Sequence, residues 1–428
     1  MKQYQISEDQ IKTLGTVIQQ CLANEITDNP TDPPVVPPPE PPTPSPGYPE
    51  PDRRNLVKPG DLTLTDDGGF SFHGETILDA LRRRGFTPTD DVNACCFEGW
   101  DFPRFWAHNL AIGSEIDMVG CTFRDQRRNA LDINFYGDRN AGQDPLTGRP
   151  GGLLLRIFDS KFLRNYSPNP NTADEHSVGA LLRGRAVDEL DVEIYNGLFR
   201  YNGSGPDRDA TAGMTDHALY PQGRPKHLVT KDCAWLDWAA QASKGGCEYV
   251  YHSNLFAANG ATFGFFGPDA GETDKFGEFT TFGGMKDALI YGMTDILAKK
   301  APHSYGLIFN GGCDITLENV HIVNPNPTVN PDRPLHAFHC VDMRGRPINV
   351  RFKNVHLYGY DYVFGGDTEF LTESTTDSVD AIDGVNMHPR IKPGLDLNEA
   401  RQLLDSGAKR PDEMFAWGMN QLGLEVAG

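Results

Sequence analysis

Long apolar runs are missing from this sequence. No stretch reaches the length that crosses a bilayer, and the opening "MKQYQISEDQIKTLG" has no apolar core of signal-peptide type. A protein made in a cytoplasm, without a membrane span, is therefore expected. Basic charge is also short, with 39 Lys and Arg against 59 Asp and Glu, a net of −20. General affinity for nucleic acid or an anionic membrane needs clustered positive charge, so neither is expected as a partner. Cysteine is scarce, with eight in 428 residues: Cys21, Cys95, Cys96, Cys121, Cys233, Cys247, Cys313 and Cys340. Their spacing fits neither a disulfide framework nor paired C-x-x-C zinc ligands, and no metal site is assigned. They read as small buried hydrophobes kept reduced. Cys95 and Cys96 are neighbours, so a strand holding them turns their side chains to opposite faces.

Proline and glycine are plentiful, at 32 and 45 residues, and their distribution divides the chain. Residues 1–28 place Ile6, Ile11, Leu14, Ile18 and Leu22 at helical spacing, and Ser7 with Gln10 makes a capping box. Such a helix is marginal alone, so it needs copies of itself or a socket on another protein. Residues 29–51, "NPTDPPVVPPPEPPTPSPGYPEP", favour extended polyproline II and read as a semi-rigid linker. Residues 52–89 form a lead-in ending in a short helix, "GETILDALRRRGFTP", with Ile77, Leu78 and Leu81 on one face. Residues 371–428 regain helical periodicity in "LNEARQLLDSG" and "DEMFAWGMNQLGLEV" and read as a C-terminal cap.

Between them, residues 90–370 repeat one pattern: apolar, x, apolar, x, turn-former, x, x, apolar. Ile315, Leu317, Asn319 and Ile322 fill it, as do Val350, Phe352, Asn354 and Leu357. So do Val192, Ile194, Asn196 and Phe199; Leu155, Ile157, Asp159 and Phe162; and Ile116, Met118, Gly120 and Phe123. Looser copies put turn-formers at 99, 232, 253 and 293. Apolar residues two apart line the inner face of a strand, and Asn, Asp or Gly bends the chain because these types tolerate left-handed backbone. A β-sandwich also alternates, but it does not return the same corner in the same phase. The expected fold is all-β: a parallel β-solenoid whose stacked turns bury one continuous column of side chains.

These phased "VxFxNxxF" turns resemble the pectate-lyase-like right-handed parallel β-helix superfamily over roughly residues 90–370. That family includes polysaccharide lyases, polysaccharide hydrolases and bacteriophage tailspikes. An N-terminal helix, a proline linker and a β-helix without a signal peptide are more similar to a virion-attached spike than to a secreted lyase. The resemblance implies a virion protein that binds a host-cell surface glycan, with or without depolymerising it. It also implies a homo-oligomer, a trimer in many spikes, docked to a tail or capsid protein through the first helix. Two alternatives stay open: a free polysaccharide lyase or hydrolase, and a structural decoration protein without activity.

Chemistry is sought in "TDHALYPQG", "AAQASKGG" and "FFGPDAG", which bring Asp216, His217, Tyr220, Lys244 and Asp269 to comparable phases of successive turns. A Lys beside an acid or a Tyr can take the proton α to a uronic-acid carboxylate, so Asp216, His217 and Lys244 are the catalytic candidates. The "SKGG" stretch faintly resembles the Lys-bearing turn of alginate and chondroitin lyases, which carry an Arg about one turn later; this sequence has none there. Hydrolysis by paired carboxylates is the other route, but among 59 acids no pair stands out. Tyr220, Trp238, Tyr360, Arg183, Arg185 and Asp269 are the candidate glycan-binding residues, with Trp238 and Tyr360 expected at the surface and Trp235 expected inside. No cofactor is expected except calcium, for which "GPDRDATAG" and "GPDAGETDK" offer oxygen ligands without matching an EF-hand. His321 and His356, in the two "VH" copies, read as matching surface positions rather than catalysts.

Overall fold

The computed structural model describes residues 48–428 apart from 65–68, 74–75, 109–113, 127–128, 135–152, 168–177, 185–189, 205–216, 224, 239–240, 261, 268–278, 293–305, 326–334, 342–344, 373–374, 376–381 and 427–428. The N-terminal helix and most of the proline linker lie outside the described residues.

The chain passes repeatedly over the same three faces, and among the described residues every strand pair is parallel. Face 1 stacks Ala94–Glu98, Ser114–Val119, Leu153–Phe158, Leu190–Tyr195 and His227–Lys231 in that order. Face 2 stacks Asp101–Phe102, Thr122–Arg124, Lys161–Leu163, Leu198–Arg200 and Ala234–Leu236. From Tyr249–Ala258 onward, single strands run through the corner and serve both faces: Thr281–Tyr291, Cys313–Val323 and Ile348–Tyr358 follow. Face 3 stacks Phe70–His73, Phe105–His108, Leu131–Asn134, Val178–Gly184, His217–Gly223, Gln241–Gly246, Thr262–Phe266, Leu307–Asn310, His336–Val341 and Tyr362–Gly366. Consecutive strands thus never pair with each other but with their counterparts one turn away, the arrangement expected of an all-β solenoid. Cys313↔Ile348 and His321↔His356 are directly opposite, so the two "VH" stretches are neighbouring rungs.

The corner between faces 1 and 2 explains the repeated turn-former. Gly99, Gly120, Asp159, Asn196, Asp232, Asn254, Asp287, Asn319 and Asn354 all have φ between 44° and 71°. Only residues that bear left-handed backbone cheaply recur there. Their side chains also join the corners: Asn196 Nδ2 donates to Asp159 Oδ1 at 2.5 Å, Asn319 to Asp287 at 2.9 Å and Asn354 to Asn319 at 2.9 Å. Two expected corners move, 253 to Asn254 and 293 to Asp287.

Inside, rings stack turn on turn behind that corner. Phe123–Phe162, Phe162–Phe199 and Phe199–Trp235 have centroids 4.8, 4.7 and 4.8 Å apart with planes within 12°. One rung spacing is about 4.8 Å, so rings in phase must meet face to face. Trp235 is fully buried, as expected. Cys95 joins this core while Cys96 faces a separate cluster with Val119, Phe158 and Tyr195, which the linker residue Tyr48 covers. The seven described cysteines are all buried and unpaired.

Helix α1 (Ile77–Arg83) starts at Thr76, whose hydroxyl accepts from the Asp79 amide, and buries Ile77, Leu78, Ala80 and Leu81. Ile77, Ala80 and Leu81 belong to the same core as the first turns. Helices α2 (Leu397–Asp405) and α3 (Pro411–Gln421) pack along the outer side of face 2, covering Leu198, Leu236, Phe256, Leu289 and Tyr291. Gly418 is required at that contact: a Cβ would sit 2.6 Å from Leu289 Cδ2 and 2.9 Å from Phe256. Among the described residues no helix is long and apolar enough to cross a membrane.

Candidate functional site

The connections single out face 3. Between faces 1 and 2 the early turns allow only Gly99–Trp100, Gly120–Cys121, Asp159–Ser160, Asn196–Gly197 and Asp232–Cys233, and the later turns allow none. Every long connection instead borders a face 3 strand: 135–152 follows Leu131–Asn134, 185–189 follows Val178–Gly184, and 205–216 precedes His217–Gly223. Segments 268–278, 293–305 and 326–334 adjoin Thr262–Phe266, Leu307–Asn310 and His336–Val341. Long loops on a rigid scaffold are where binding residues concentrate.

Alternation along the strands separates the two sides of face 3. Phe105 and Ala107, Leu131 and Ile133, Ala180 and Leu182, and Leu219 all enter the core. The intervening positions form rows across the strands. One row is Trp106, Asp132, Leu181 and Tyr220, paired strand to strand. Leu219 pairs with Ser243, so Lys244 follows at the position beside Tyr220. The second row is His73, His108, Asn134, Arg183 and Gln222. Six rows of strand at about 4.8 Å each make a site long along the stack axis and narrow across it.

Trp106 is half-buried and fixed from two directions. Its indole N–H donates to the Asn129 carbonyl at 3.0 Å, and the Arg104 guanidinium sits 4.2 Å from its ring centroid. Asn129 also donates to Asp132 Oδ2 at 2.8 Å, orienting a carboxylate that is only 5% exposed. On the next strands Tyr220 is half-buried, and the His217 ring meets it edge-on at 4.6 Å. His217 is 1% exposed, so it lies beneath Tyr220 and supports it from within. The structure therefore brings Tyr220, His217 and the Lys244 and Arg183 positions to one face. Asp216, Arg185 and Asp269 lie outside the described residues.

Two expectations are corrected. Trp238 is 3% exposed, packs on Phe263 at 6.2 Å and belongs to the core, because its ring occupies the space above Gly260. Tyr360 is 8% exposed, also within the core, and burial pushes its hydroxyl pKa up. Neither presents a ring face to solvent. Trp106 and Asp132 sit in the row the other candidates define, with Arg104 packed on the Trp106 ring; the sequence did not single out Arg104 or Asp132. The signal was available in "FWAH" and "LDIN", where a polar or aromatic residue sits between two core residues.

Other chemistry is placed less favourably. Face 1 exposes Phe282 beside Tyr249 and Tyr251, but the charges nearby are already paired, Asp191 with His227 at 2.6 Å and Lys286 with Glu318 at 2.7 Å. His252 lies in the core, joined to Thr230 Oγ1 at 2.7 Å, and burial pushes its imidazole down to about 3. Among the described residues no group of three or more His, Cys, Asp and Glu is placed to hold a metal ion.

No protein-family model matches the chain, no curated protein matches it, and no solved structure matches it.

Proposed function

We propose that this protein recognises a polysaccharide laid along the outer side of face 3, as the glycan-binding body of a virion-attached spike. The observation that carries the reading is a coincidence. The face bordered by all the long connections is also the one whose row of positions runs Trp106, Asp132, Leu181 and Tyr220 in register, with the Lys244 position next to Tyr220 on the following strand. Flat rings stack on sugar faces, while carboxylate, amide and ammonium groups bind hydroxyls, and glycan sites combine the two. A row along the stack axis suits an extended polymer better than a compact ligand. Membership of the right-handed, pectate-lyase-like type, attachment through residues 1–51, oligomerisation and a virion location belong to the same proposal and rest on the sequence resemblance. Bound calcium belongs to it too, on the strength of the acidic loops alone.

Depolymerisation is the second reading, favoured by one observation: Tyr220 and Lys244 stand at adjacent positions on neighbouring strands. A phenol and an amine so placed can share the proton abstraction and donation that a lyase requires. Incubating the purified full chain with a panel of capsular and cell-wall polysaccharides tests both. Binding without new reducing ends or unsaturated uronates supports recognition alone; turnover that disappears in Lys244→Ala supports catalysis. Neither binding nor turnover would leave the structural-decoration alternative.

A further inference from the structure

On the outer side of face 2, beyond the strip covered by α2 and α3, apolar residues give way to imidazoles. Phe256 pairs with Leu289, Leu289 with His321, and His321 with His356. The His321 and His356 rings stack at 4.7 Å with planes 8° apart, and His388 stacks on His356 at 5.1 Å. His388 ends the short strand Val385–His388, which pairs with Ile348–Tyr358 and leads through residues 389–396 into α2.

The hydrogen bonds around this stack have a fixed direction. Asp287 carboxylate only accepts, so Asn319 donates to it and must present its own Oδ1 to Asn354. Asn354 then presents Oδ1 to His356 Nε2 at 2.8 Å, making Nε2 the protonated nitrogen of His356. His356 Nδ1 is therefore a bare acceptor, and His388 Nε2–H donates to it at 2.8 Å. A chain of four bonds, anchored on one carboxylate, sets the tautomer of His356. Once His388 carries a proton on both nitrogens, a further proton on His356 Nδ1 turns two N–H groups toward each other and sets two charged rings in stacked contact.

Among the described residues no carboxylate bonds to His356 or His388 to receive that charge. From Thr281–Tyr291 come Asp287, two amides away, and Tyr291. From Cys313–Val323 comes Glu318, held by Lys286 at 2.7 Å. Ile348–Tyr358 itself contributes Lys353 and Tyr358, and the segment after His388 contributes Arg390, bonded to the Pro325 carbonyl. The charged groups of α2 and α3 serve earlier turns: Arg401 holds Asp237, Asp405 meets Arg200 and Arg410 meets Asp159. Besides its backbone pairing, the strand Val385–His388 is held by Val385 against the core and by the His388 ring stacked on Tyr358 at 4.6 Å, while Asn386 and Met387 are exposed.

We propose that the His321–His356–His388 stack is a proton-operated clasp, which fastens Val385–His388 to the rung below it at neutral pH and lets that strand go in acid. Burial and the neighbouring imidazoles hold His321 and His356 below the ordinary histidine range, so the clasp stays closed until the medium is distinctly acidic. The inference is independent of the glycan site on face 3.

Hydrogen–deuterium exchange on the full chain at pH 7.5 and pH 4.5, corrected for intrinsic rates, tests it. The expected result is a loss of protection at Val385–His388 in acid that is at least tenfold greater than the loss at Cys313–Val323. In the double variant His356→Gln, His388→Gln the excess loss at Val385–His388 over Cys313–Val323 should vanish. Equal protection at both pH values in the native chain, or an undiminished acid effect in the variant, would overturn the proposal. Should the variant not fold, ¹⁵N shifts of the native imidazoles decide: His356 must carry its proton on Nε2 at pH 7, and a proton on Nδ1 overturns the clasp.

Discussion

Asn354 donates its side-chain amide to Asn319 Oδ1 at 2.9 Å, although the two residues are 35 apart in sequence. Both sit at the same corner of successive turns with φ of 56° and 52°. The residue type thus does two things at once: it accepts left-handed backbone and it ties one turn to the next. Asn319→Ala is predicted to cost about 2–4 kcal/mol, from left-handed strain of roughly 1–2 kcal/mol and the bonds lost to its neighbours. Asn319→Gly removes the bonds but not the conformation and should cost clearly less. Chemical denaturation of both variants measures the difference; equal losses would contradict the double role.

The aromatic column predicts a larger effect. Phe162 is fully buried between Phe123 and Phe199, with planes 12° and 2° from its own. Phe162→Ala leaves a cavity that neighbouring rings cannot fill without breaking their own stacking, at about 3–5 kcal/mol. Phe162→Leu should retain more than half of that stability. Denaturation midpoints of the pair check the prediction.

Acid is predicted to weaken the fold before its carboxylates titrate. His252 and His321 are held down to about 3 and about 4, chiefly by burial. An unfolded histidine titrates near 6.5, so below that pH the unfolded chain binds protons the folded chain refuses. The stability is therefore complete above about pH 6.5 and drains away as the pH falls toward 4. At about 1.4 kcal/mol per pH unit, His321 alone accounts for a loss on the order of 3 kcal/mol by pH 4. Thermal midpoints measured from pH 7 to pH 4 should fall steadily, and the slope should lessen in His321→Gln.

Much of this architecture was legible because corner and core are local signals. At Asn196, Asn319 and Asn354 the apolar pair before the corner and the left-handed residue occur within five positions, and no tertiary information is needed to see them. The expected corner at 253 slipped by one because Tyr249 and Tyr251 alternate as strongly as the inward Val250 and His252 do. Aromatic rings that face solvent imitate a core pattern. The corner at Asp287 was missed because Gly283 and Met285 give its inner face little apolar signal. The site was less legible, since it is assembled across turns: Trp106, Asp132 and Tyr220 fall into one row only when four strands separated in sequence stack, with Leu181 between the last two. Trp238 and Tyr360 were expected outside because nothing local distinguishes a ring under a loop from a ring above one.

The central claim is that the outer row of face 3 binds glycan. Its most direct test compares polysaccharide affinity in the native chain, Trp106→Ala, Lys244→Ala and, as a control on another face, Phe282→Ala. The account predicts binding by the native chain and the Phe282 variant, with a loss of roughly tenfold or more, about 1.4 kcal/mol, in each of the other two. Full affinity in Trp106→Ala and Lys244→Ala, or a loss confined to Phe282→Ala, would contradict it.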